Sequence, residues 1–294
     1  MIKKVFVVGG GLMGSGIAQV FAQAGYEVSL NDVSDEILER SKANITKMLQ
    51  KAVSKGKSTQ EKMDATLSCL TFTSNLADCA DTDLVVEAII EKPEAKKDLF
   101  LKVSGYVRED AILASNTSSI SIAEIASVVA NPSRFMGTHF FSPVPIMKLL
   151  ELVQGIGTSQ ETVDTMLEVG KSIGKVCIVS KDRPAFIVNR MLDPMINEAI
   201  SIVEAGTGSI EDVDNGMKYG CNHPMGPLEL IDMAGIDIEL AVMEVLYAQT
   251  GDPKYRPSGL LRDMVRMGWL GRKTGKGFYV YHEDGSKTPN SALL

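Results

Sequence analysis

The three histidines are the first candidates for acid-base chemistry in this chain of 294 residues. A neutral imidazole accepts a proton readily near pH 7, because its reference pKa is about 6.5. His282 is close to the C-terminus, and His223 lies in a turn flanked by proline and glycine. His139 alone lies at the end of a strand predicted for the first part of the chain, where strand ends border a ligand crevice. His139 is therefore the candidate general base, although a single histidine is also commonly structural.

Glu151 is the candidate partner of His139. It follows His139 by 12 residues, a spacing that allows a loop with two prolines and a return along a neighbouring strand. A buried carboxylate that bonds one imidazole nitrogen fixes the tautomer and stabilises the imidazolium formed when the other nitrogen accepts a proton. We expect the two side chains to meet in this way.

A glycine motif directly follows the first predicted strand. Gly9, Gly11 and Gly14 form a G-x-G-x-x-G pattern, with Leu12 and Met13 at the positions before the last glycine. In a strand-turn-helix context this pattern is typical of dinucleotide binding, because the glycines allow a tight turn, close approach of the pyrophosphate and close helix packing. The sequence therefore predicts a nucleotide cofactor whose phosphates face the start of a helix.

Asp32 indicates which dinucleotide is bound. It closes the second predicted strand 18 residues after Gly14, where a carboxylate can accept hydrogen bonds from the adenosine ribose hydroxyls. An arginine usually accompanies NADP at this place, and the first arginine after the motif is Arg40. The pattern favours NAD, with NADP left open by Arg40.

The elements that must position these residues alternate along the first 182 residues. Apolar runs and amphipathic stretches predict a Rossmann-type, mostly parallel sheet that is covered by helices on both faces. The predicted strands are residues 3–8, 27–31, 70–73, 83–89, 111–115, 135–140, 149–153 and 175–180. The predicted helices lie near 12–24, 34–54, 93–107, 121–130 and 159–173.

The character of the chain changes at Asp182-Arg183-Pro184. Beyond it, alternation typical of strands is not convincing, and an all-helical second domain is predicted for residues 183–294 after a first domain of residues 1–182. Its helices are expected near 186–205, 209–219, 226–248 (broken near Gly235) and 258–267.

Composition excludes several classes of protein. A net charge of −7 and a pI near 5.2 disfavour a nucleic-acid partner. No apolar run approaches the roughly 20 residues that cross a bilayer, so no membrane association is expected. The four cysteines are far apart and lack a C-x-x-C pair, which indicates reduced thiols in a cytoplasmic protein and no metal site.

Several segments resemble the 3-hydroxyacyl-CoA dehydrogenase family, most of all its bacterial 3-hydroxybutyryl-CoA dehydrogenases. Besides the glycine motif they are SNTSS (115–119), HFFSPVP (139–145), FIVNR (186–190), NHPMGPLEL (222–230) and GWLGRKTGKGFY (268–279). The resemblance covers nearly the whole chain. It implies reversible hydride transfer between NAD and carbon 3 of a short 3-hydroxyacyl-CoA, with His139 and Glu151 as the catalytic dyad.

The resemblance also assigns roles to single residues. Ser118 and Asn189 match the catalytic and substrate-binding positions that hold the reacting oxygen, and Ser118 also lies beside the nicotinamide. Glu91 and Lys96 match contacts to the nicotinamide-side ribose and phosphates, and Lys273 matches a C-terminal cofactor contact. Each has an ordinary structural alternative, such as helix capping for a serine after a strand.

The chain departs from the family pattern at two places. Ser142 stands where an asparagine is usual after His-Phe-Phe, so an altered cofactor contact is expected there. The segment Arg183-Pro184-Ala185-Phe186 lacks a glycine that is commoner in the family, so the loop geometry of the family is not carried over to it.

A row of lysines is the candidate site for coenzyme A. Lys47, Lys51 and Lys55 follow i, i+4 spacing in the second predicted helix, and Lys57 comes shortly after. Lys55 matches a CoA-contacting lysine of the family, so Lys51 and Lys55 are predicted to bind the CoA phosphates as point cations. A solvated helix face is the alternative.

Two other functions stay open at this point. A relative on the same scaffold can act on a hydroxy acid without CoA, such as L-gulonate, and crystallin-like relatives retain NAD without turnover. The apolar second domain is short for an independent core, so a homodimer is expected as in the family.

Overall fold

The structure is a computed structural model that describes residues 2–293, and it divides into two compact units between Arg183 and Pro184. In the first unit, strands and helices alternate along the chain. The strands are β1 (Lys4–Val8), β2 (Glu27–Asn31), β3 (Leu70–Thr73), β4 (Leu84–Glu87), β5 (Ile112–Ser115), β6 (Phe135–Phe140), β7 (Leu149–Gln154) and β8 (Val176–Lys181). The helices are α1 (Leu12–Gln23), α2 (Asp35–Ser54), α3 (Gln60–Ser68), α4 (Pro93–Ser104), α5 (Ile122–Ala126) and α6 (Gln160–Ser172).

The eight strands form one sheet in the order β3-β2-β1-β4-β5-β6-β7-β8. Every neighbouring pair is parallel except β6 and β7. The central strands β4 and β5 are buried at every position, as expected for strands covered on both faces. The predicted fold class, a mostly parallel sheet with flanking helices followed by a helical part, is confirmed.

The strand order places the candidate site at one edge of the sheet. β2 and β4 lie on opposite sides of β1, so the connections that leave the carboxyl ends of β1 and β4 diverge there. Such a switch point opens a crevice outside the carboxyl ends of the strands. The glycine motif after β1, the loop after β2 and the loop after β4 all begin at this crevice.

The second unit is mostly helical. Its helices are α7 (Val188–Glu204), α8 (Ile210–Asn215), α9 (Pro227–Ala234), α10 (Ile236–Thr250) and α11 (Gly259–Arg266), with a π-helical turn at Gly216–Gly220. Gly235, with φ of +117°, separates α9 from α10 at the predicted break. The second unit also contains an antiparallel hairpin of β9 (Tyr279–Tyr281) and β10 (Lys287–Pro289), which corrects the expectation of an entirely helical second domain.

Two buried aspartates hold the second unit together. Asp214 accepts hydrogen bonds from the first backbone amides of α9, at Leu228 and Glu229, and from the Tyr279 hydroxyl. Asp232 accepts hydrogen bonds from the amides of Phe278 and Tyr279 and from the Tyr281 hydroxyl. Asp214 and Asp232 therefore tie α9 to the C-terminal hairpin.

Two glycines leave room for these aspartates. A Cβ atom at Gly226 would lie 2.2 Å from Cγ of Asp214, and one at Gly277 would lie 2.0 Å from Oδ1 of Asp232. Both distances are far inside van der Waals contact. Gly226 of NHPMGPLEL and Gly277 of GKGFY are therefore explained by packing within this unit.

A second pair of buried acids makes the stability of this unit depend on pH. Asp193 of α7 and Glu239 of α10 are 5% and 4% exposed, and each has one carboxyl oxygen without a hydrogen-bond partner in the described structure. Burial raises the pKa of both groups, and the charge of Asp193 raises that of Glu239 further. The folded unit therefore holds protons that the unfolded chain releases.

We predict that the free energy of unfolding falls as pH rises. The contribution of Asp193 and Glu239 is complete below about pH 4, the ordinary pKa range of these acids, and is lost as pH rises through their elevated folded values. The variant Asp193→Asn/Glu239→Gln is expected to reduce this dependence in urea titrations from pH 4 to pH 9. Burial also raises the pKa of Asp232, to about 6, so a smaller dependence should remain. An unchanged slope in the variant would contradict the prediction.

Candidate active site

The glycine turn after β1 has the shape that a dinucleotide requires. Gly9 has φ of +108°, and a Cβ atom there would lie 2.5 Å from the carbonyl oxygen of Ala88. A Cβ at Gly14 would lie 1.8 Å from the carbonyl oxygen of Gly9. At Gly11, by contrast, a Cβ would meet nothing within 4 Å. Gly9 and Gly14 thus close the turn, whereas Gly11 faces open space at the N-terminus of α1, where a pyrophosphate fits.

Asp32 lies beside this turn. Its carboxylate accepts hydrogen bonds from the amide of Gly10 at 2.8 Å and from the amide of Ser34 at 3.1 Å, and it remains partly exposed. These bonds fix the carboxylate between the glycine turn and the start of α2. The arrangement can present an acceptor to ribose hydroxyls.

Three large apolar side chains surround the same crevice and are exposed. Val33 follows Asp32 and is 94% exposed, Leu12 of the glycine motif is 76% exposed, and Ile90 in the loop after β4 is 62% exposed. Apolar walls suit the faces of an adenine ring, because an aromatic base loses little when it leaves water for an apolar contact. Val33 and Ile90 were not predicted from sequence. Their signal was available, since each is an apolar residue directly after a strand that ends at the crevice.

His139 and Glu151 form a buried pair on the two antiparallel strands. β6 and β7 pair so that His139 lies directly opposite Glu151, and Nδ1 of His139 is 3.0 Å from Oε2 of Glu151. His139 is 6% exposed and Glu151 is fully buried. The ring of Phe141 lies 4.4 Å from that of His139, between centroids. The carboxylate therefore fixes the orientation of the ring through Nδ1.

Ser118 is held by a carboxylate in the loop after β4. Oε1 of Glu91 accepts hydrogen bonds from the Thr117 hydroxyl at 2.5 Å, from the Ser118 amide at 2.8 Å and from the Ser118 hydroxyl at 3.4 Å. Burial opposes ionisation of Glu91, but the ammonium of Lys96 and these hydrogen bonds hold its pKa below the ordinary range. Glu91 is therefore an anionic acceptor at the crevice.

Lys96 lies between two acids. Its side chain is fully buried, and its Nζ lies 2.6 Å from Oε1 of Glu87 and 3.1 Å from Oε2 of Glu91. Ser142, in contrast, is exposed and precedes Pro143 through a cis peptide bond, just beyond Phe141. Direct contacts of Lys96 and Ser142 with a cofactor stay predictions.

Asn189 and Lys273 are the predicted site residues of the second unit. Asn189 is partly exposed in the first turn of α7. Shortly before α7, Ala185 and Phe186 are buried and have φ of +57° and +55°. This left-handed backbone region is unfavourable for residues other than glycine. This is the segment where the sequence lacks the glycine commoner in the family. Lys273 forms an ion pair with Asp237, in the first turn of α10.

The lysine row lies along the second half of α2. Lys47 and Lys51 are exposed on this helix, Lys55 caps its C-terminus, and Lys57 follows. No ion pair within residues 2–293 includes any of the four. Their charges are therefore not neutralised by neighbouring carboxylates.

Within residues 2–293, three or more metal-ligating side chains do not cluster, and no helix is long and apolar enough to cross a bilayer. The open glycine turn, the anchored Asp32 and the apolar walls define an NAD-binding oxidoreductase of the doubly wound α/β class. The chain belongs to the 3-hydroxyacyl-CoA dehydrogenase family. Residues 4–183 match the family model for its NAD binding domain, and residues 186–281 match the model for its C-terminal domain.

Individual relatives agree with this assignment over nearly the full chain. A 3-hydroxybutyryl-CoA dehydrogenase of Bradyrhizobium diazoefficiens is 48% identical over 96% of both chains. One from Clostridioides difficile is 47% identical over 95% of this chain and 100% of its own. The crystal structure of (S)-3-hydroxybutyryl-CoA dehydrogenase from Ralstonia eutropha is similar to this chain, with a TM-score of 0.94 and 46% sequence identity. The match includes 96% of this chain and 100% of that one. The predictions of the family, of NAD and of the enzyme class are confirmed.

Proposed function

We propose that this protein is an NAD-dependent (S)-3-hydroxyacyl-CoA dehydrogenase that interconverts (S)-3-hydroxybutanoyl-CoA and acetoacetyl-CoA. The observation that carries the proposal is the buried His139–Glu151 pair, which can remove a proton from a secondary alcohol. The glycine turn in the same unit supplies the second requirement, a site for a hydride acceptor. The names of the relatives support the short acyl chain and the CoA thioester.

Residues of the first unit would form most of the cofactor site. The amides of the glycine turn and of Leu12 and Met13 would hold the pyrophosphate, Asp32 would accept from the adenosine ribose, and Glu91 would accept from the other ribose. A 2'-phosphate would meet the Asp32 carboxylate, which supports NAD over NADP. NAD held there would supply the acceptor for the hydride of carbon 3.

The proton is handled by the protein. In the oxidative direction Nε2 of His139 takes the proton of the 3-hydroxyl as the carbon-oxygen double bond forms. Glu151 holds Nδ1, which orients the ring and stabilises the imidazolium that results. Ser118 and Asn189 would donate hydrogen bonds to the reacting oxygen. In the reductive direction the imidazolium returns the proton to that oxygen.

Assignments for the rest of the chain complete the proposal. Residues 1–182 would bind NAD, and residues 183–294 would bind substrate and form a homodimer. Exposed apolar side chains on the second unit, among them Met191, Ile238 and Met267, support such an interface. Lys273 would contact the cofactor and Ser142 would lie near the nicotinamide. The four cysteines are free thiols, which supports a cytoplasmic location.

An activity assay tests the function directly. The purified protein is mixed with NAD and either (S)-3-hydroxybutanoyl-CoA or L-gulonate, and reduced nicotinamide is followed by absorbance. We expect turnover of the CoA thioester and a much lower kcat/KM for L-gulonate. Faster oxidation of L-gulonate would indicate the hydroxy-acid function. Binding of NADH without turnover of either compound would indicate a crystallin-like role.

The lysine row gives a prediction about coenzyme A. Exposed ion pairs are worth about 0.2–1 kcal/mol each, so Lys51→Ala/Lys55→Ala is expected to raise KM for the CoA substrate about 2- to 30-fold. The effect should shrink as salt increases, because the charges are exposed. Steady-state kinetics at low and high salt measure both quantities.

The control is a second pair of lysines in comparable positions. Lys102 and Lys171 are exposed in the last turns of α4 and α6, so Lys102→Ala/Lys171→Ala changes the net charge equally. This variant should leave KM unchanged. An equal rise in KM for both double variants would mean that net charge, and not the row on α2, attracts the substrate.

A further inference from the structure

Glu87 is a fully buried acid that the proposed chemistry does not use. It is the last residue of β4, and Ile89 donates its amide to Oε1 of Glu87 at 2.7 Å. Oε2 accepts a hydrogen bond from the hydroxyl of Ser115, at the end of β5, at 2.6 Å. Burial of a carboxylate away from water costs free energy unless a partner offsets it, and Lys96 is that partner. Such an arrangement fixes the ends of two neighbouring strands at the crevice.

Lys96 connects Glu87 to Glu91. Its buried ammonium lies between two carboxylates, 2.6 Å from Glu87 and 3.1 Å from Glu91. Two acids therefore share one amino group. Glu87 is fully buried whereas the Glu91 side chain is 36% exposed, so the acid that faces the crevice is Glu91.

The chain of contacts ends at Ser118. Oε1 of Glu91 bonds the amide and the hydroxyl of Ser118 and the hydroxyl of Thr117. Consecutive contacts therefore run from Glu87 through Lys96 and Glu91 to Ser118, and they join β4, α4 and the loop after β5. Every link is a charged hydrogen bond or ion pair, which is shorter and stronger than a neutral one.

We infer that Glu87 is a positioning residue, which holds Lys96 in place and thereby sets the Glu91 carboxylate and Ser118. Lys96 then acts on the cofactor and substrate through Glu91, and not by touching them. The part that concerns turnover rests on the proposed function. The part that concerns Glu91 rests only on the proposed contact of Glu91 with the cofactor, which does not depend on the substrate.

NADH titration, followed by fluorescence, tests the link to Glu91 whatever the substrate is. Glu87→Gln keeps the shape of the side chain but frees Lys96 to move towards Glu91. We expect about tenfold weaker NADH binding, the size of one lost hydrogen bond to a charged group. In a Glu91→Gln background, Glu87→Gln should have no further effect. Equal weakening in both backgrounds, or none in either, would overturn the inference.

Measurements of kcat test the link to Ser118. Misplacement of a reacting group by about 1 Å can cost 10²-fold, so Glu87→Gln is expected to lower kcat about 10- to 100-fold. The same substitution in a Ser118→Ala background should cost almost nothing more, whereas a general structural defect would cost the same factor in both. Wild-type protein without turnover would count against the proposed function and leave the NADH arm to decide the inference.

Two further variants guard against a folding defect. Glu87→Gln/Lys96→Met removes both charges of the buried pair, a change that is often neutral for stability. It leaves Glu91 without its ammonium, so weaker NADH binding and lower kcat are expected in a folded protein. Lys97→Met alters the neighbouring lysine of α4, which pairs with Glu94 and Glu124 at the surface, and should leave both quantities unchanged. Native values in the double variant would overturn the inference.

Discussion

Replacing His139 by glutamine is expected to lower kcat for oxidation of (S)-3-hydroxybutanoyl-CoA by about 10²- to 10⁴-fold, the usual contribution of a positioned acid-base group. Glutamine keeps a polar side chain opposite Glu151 but cannot accept and hold a proton near pH 7. NADH binding should change little, because the imidazole acts on the alcohol proton. Stopped-flow absorbance of reduced nicotinamide gives kcat, and a fluorescence titration gives the affinity for NADH.

His282→Gln is the matched control for this substitution. His282 lies in the C-terminal hairpin, where its Nε2 is 3.1 Å from the hydroxyl of Thr288, and no proposed step uses it. Its replacement should leave kcat unchanged. A near-native kcat in His139→Gln, with a melting temperature equal to that of the wild type, would show that another group removes the proton.

The role of Glu151 predicts how two substitutions combine. Glu151 acts on the reaction only by holding His139, so Glu151→Gln should lower kcat by itself. Once His139 is glutamine, however, Glu151→Gln should add almost no further loss, because residues that act as a unit are not additive. Losses that multiply in the double variant would mean that Glu151 contributes by another route.

The strands of the sheet were predictable because their signals are local. The apolar runs of β1 to β8 and the glycines at the turns each lie within a few consecutive residues, and their bounds agree with the structure to within about two residues. The pairing of His139 with Glu151 was also foreseen, because a loop of known length between two strands leaves few ways to return. In these cases, residues that are close in the sequence are also close in the structure.

The Glu87–Lys96 pair could not be predicted in the same way. Glu87 ends an apolar strand and resembles an ordinary acid at the start of a loop, and Lys96 resembles a solvated lysine on a helix. That both are fully buried depends on how α4 packs on the sheet, which no short segment specifies. Sequence resemblance marked Lys96 as a cofactor contact, but only the structure shows the two carboxylates around it.

The C-terminal hairpin was missed although a local signal exists. Asp284-Gly285 lies between β9 and β10, and Gly285 has φ of +83°, as a tight hairpin turn requires. The strands are only three residues long, too short for a convincing alternation of apolar and polar residues. Their stability comes from the hydrogen bonds to Asp232, a contact across 46 or more residues of sequence.

The glycine turn provides the second prediction with a large expected effect. Alanine at Gly11 and alanine at Gly14 should impair the protein in different ways. Gly11→Ala should fold normally, because its Cβ meets nothing within 4 Å and its φ of −69° suits alanine. The new methyl group would occupy the space of the pyrophosphate. Overpacking of this kind costs about 1–3 kcal/mol, so NADH should bind roughly 5- to 150-fold more weakly.

Gly14→Ala should damage the fold itself. Its Cβ would lie 1.8 Å from the carbonyl oxygen of Gly9 and 3.0 Å from the carbonyl carbon, and backbone atoms cannot move away as the end of a flexible side chain can. We therefore expect a lower melting temperature as well as loss of NADH binding, whereas Gly11→Ala keeps the wild-type melting temperature. Thermal unfolding with and without NADH separates the two variants, because only a protein that binds the cofactor gains stability from it. If Gly11→Ala bound NADH as tightly as the wild type, the open face of this turn would not be the pyrophosphate site.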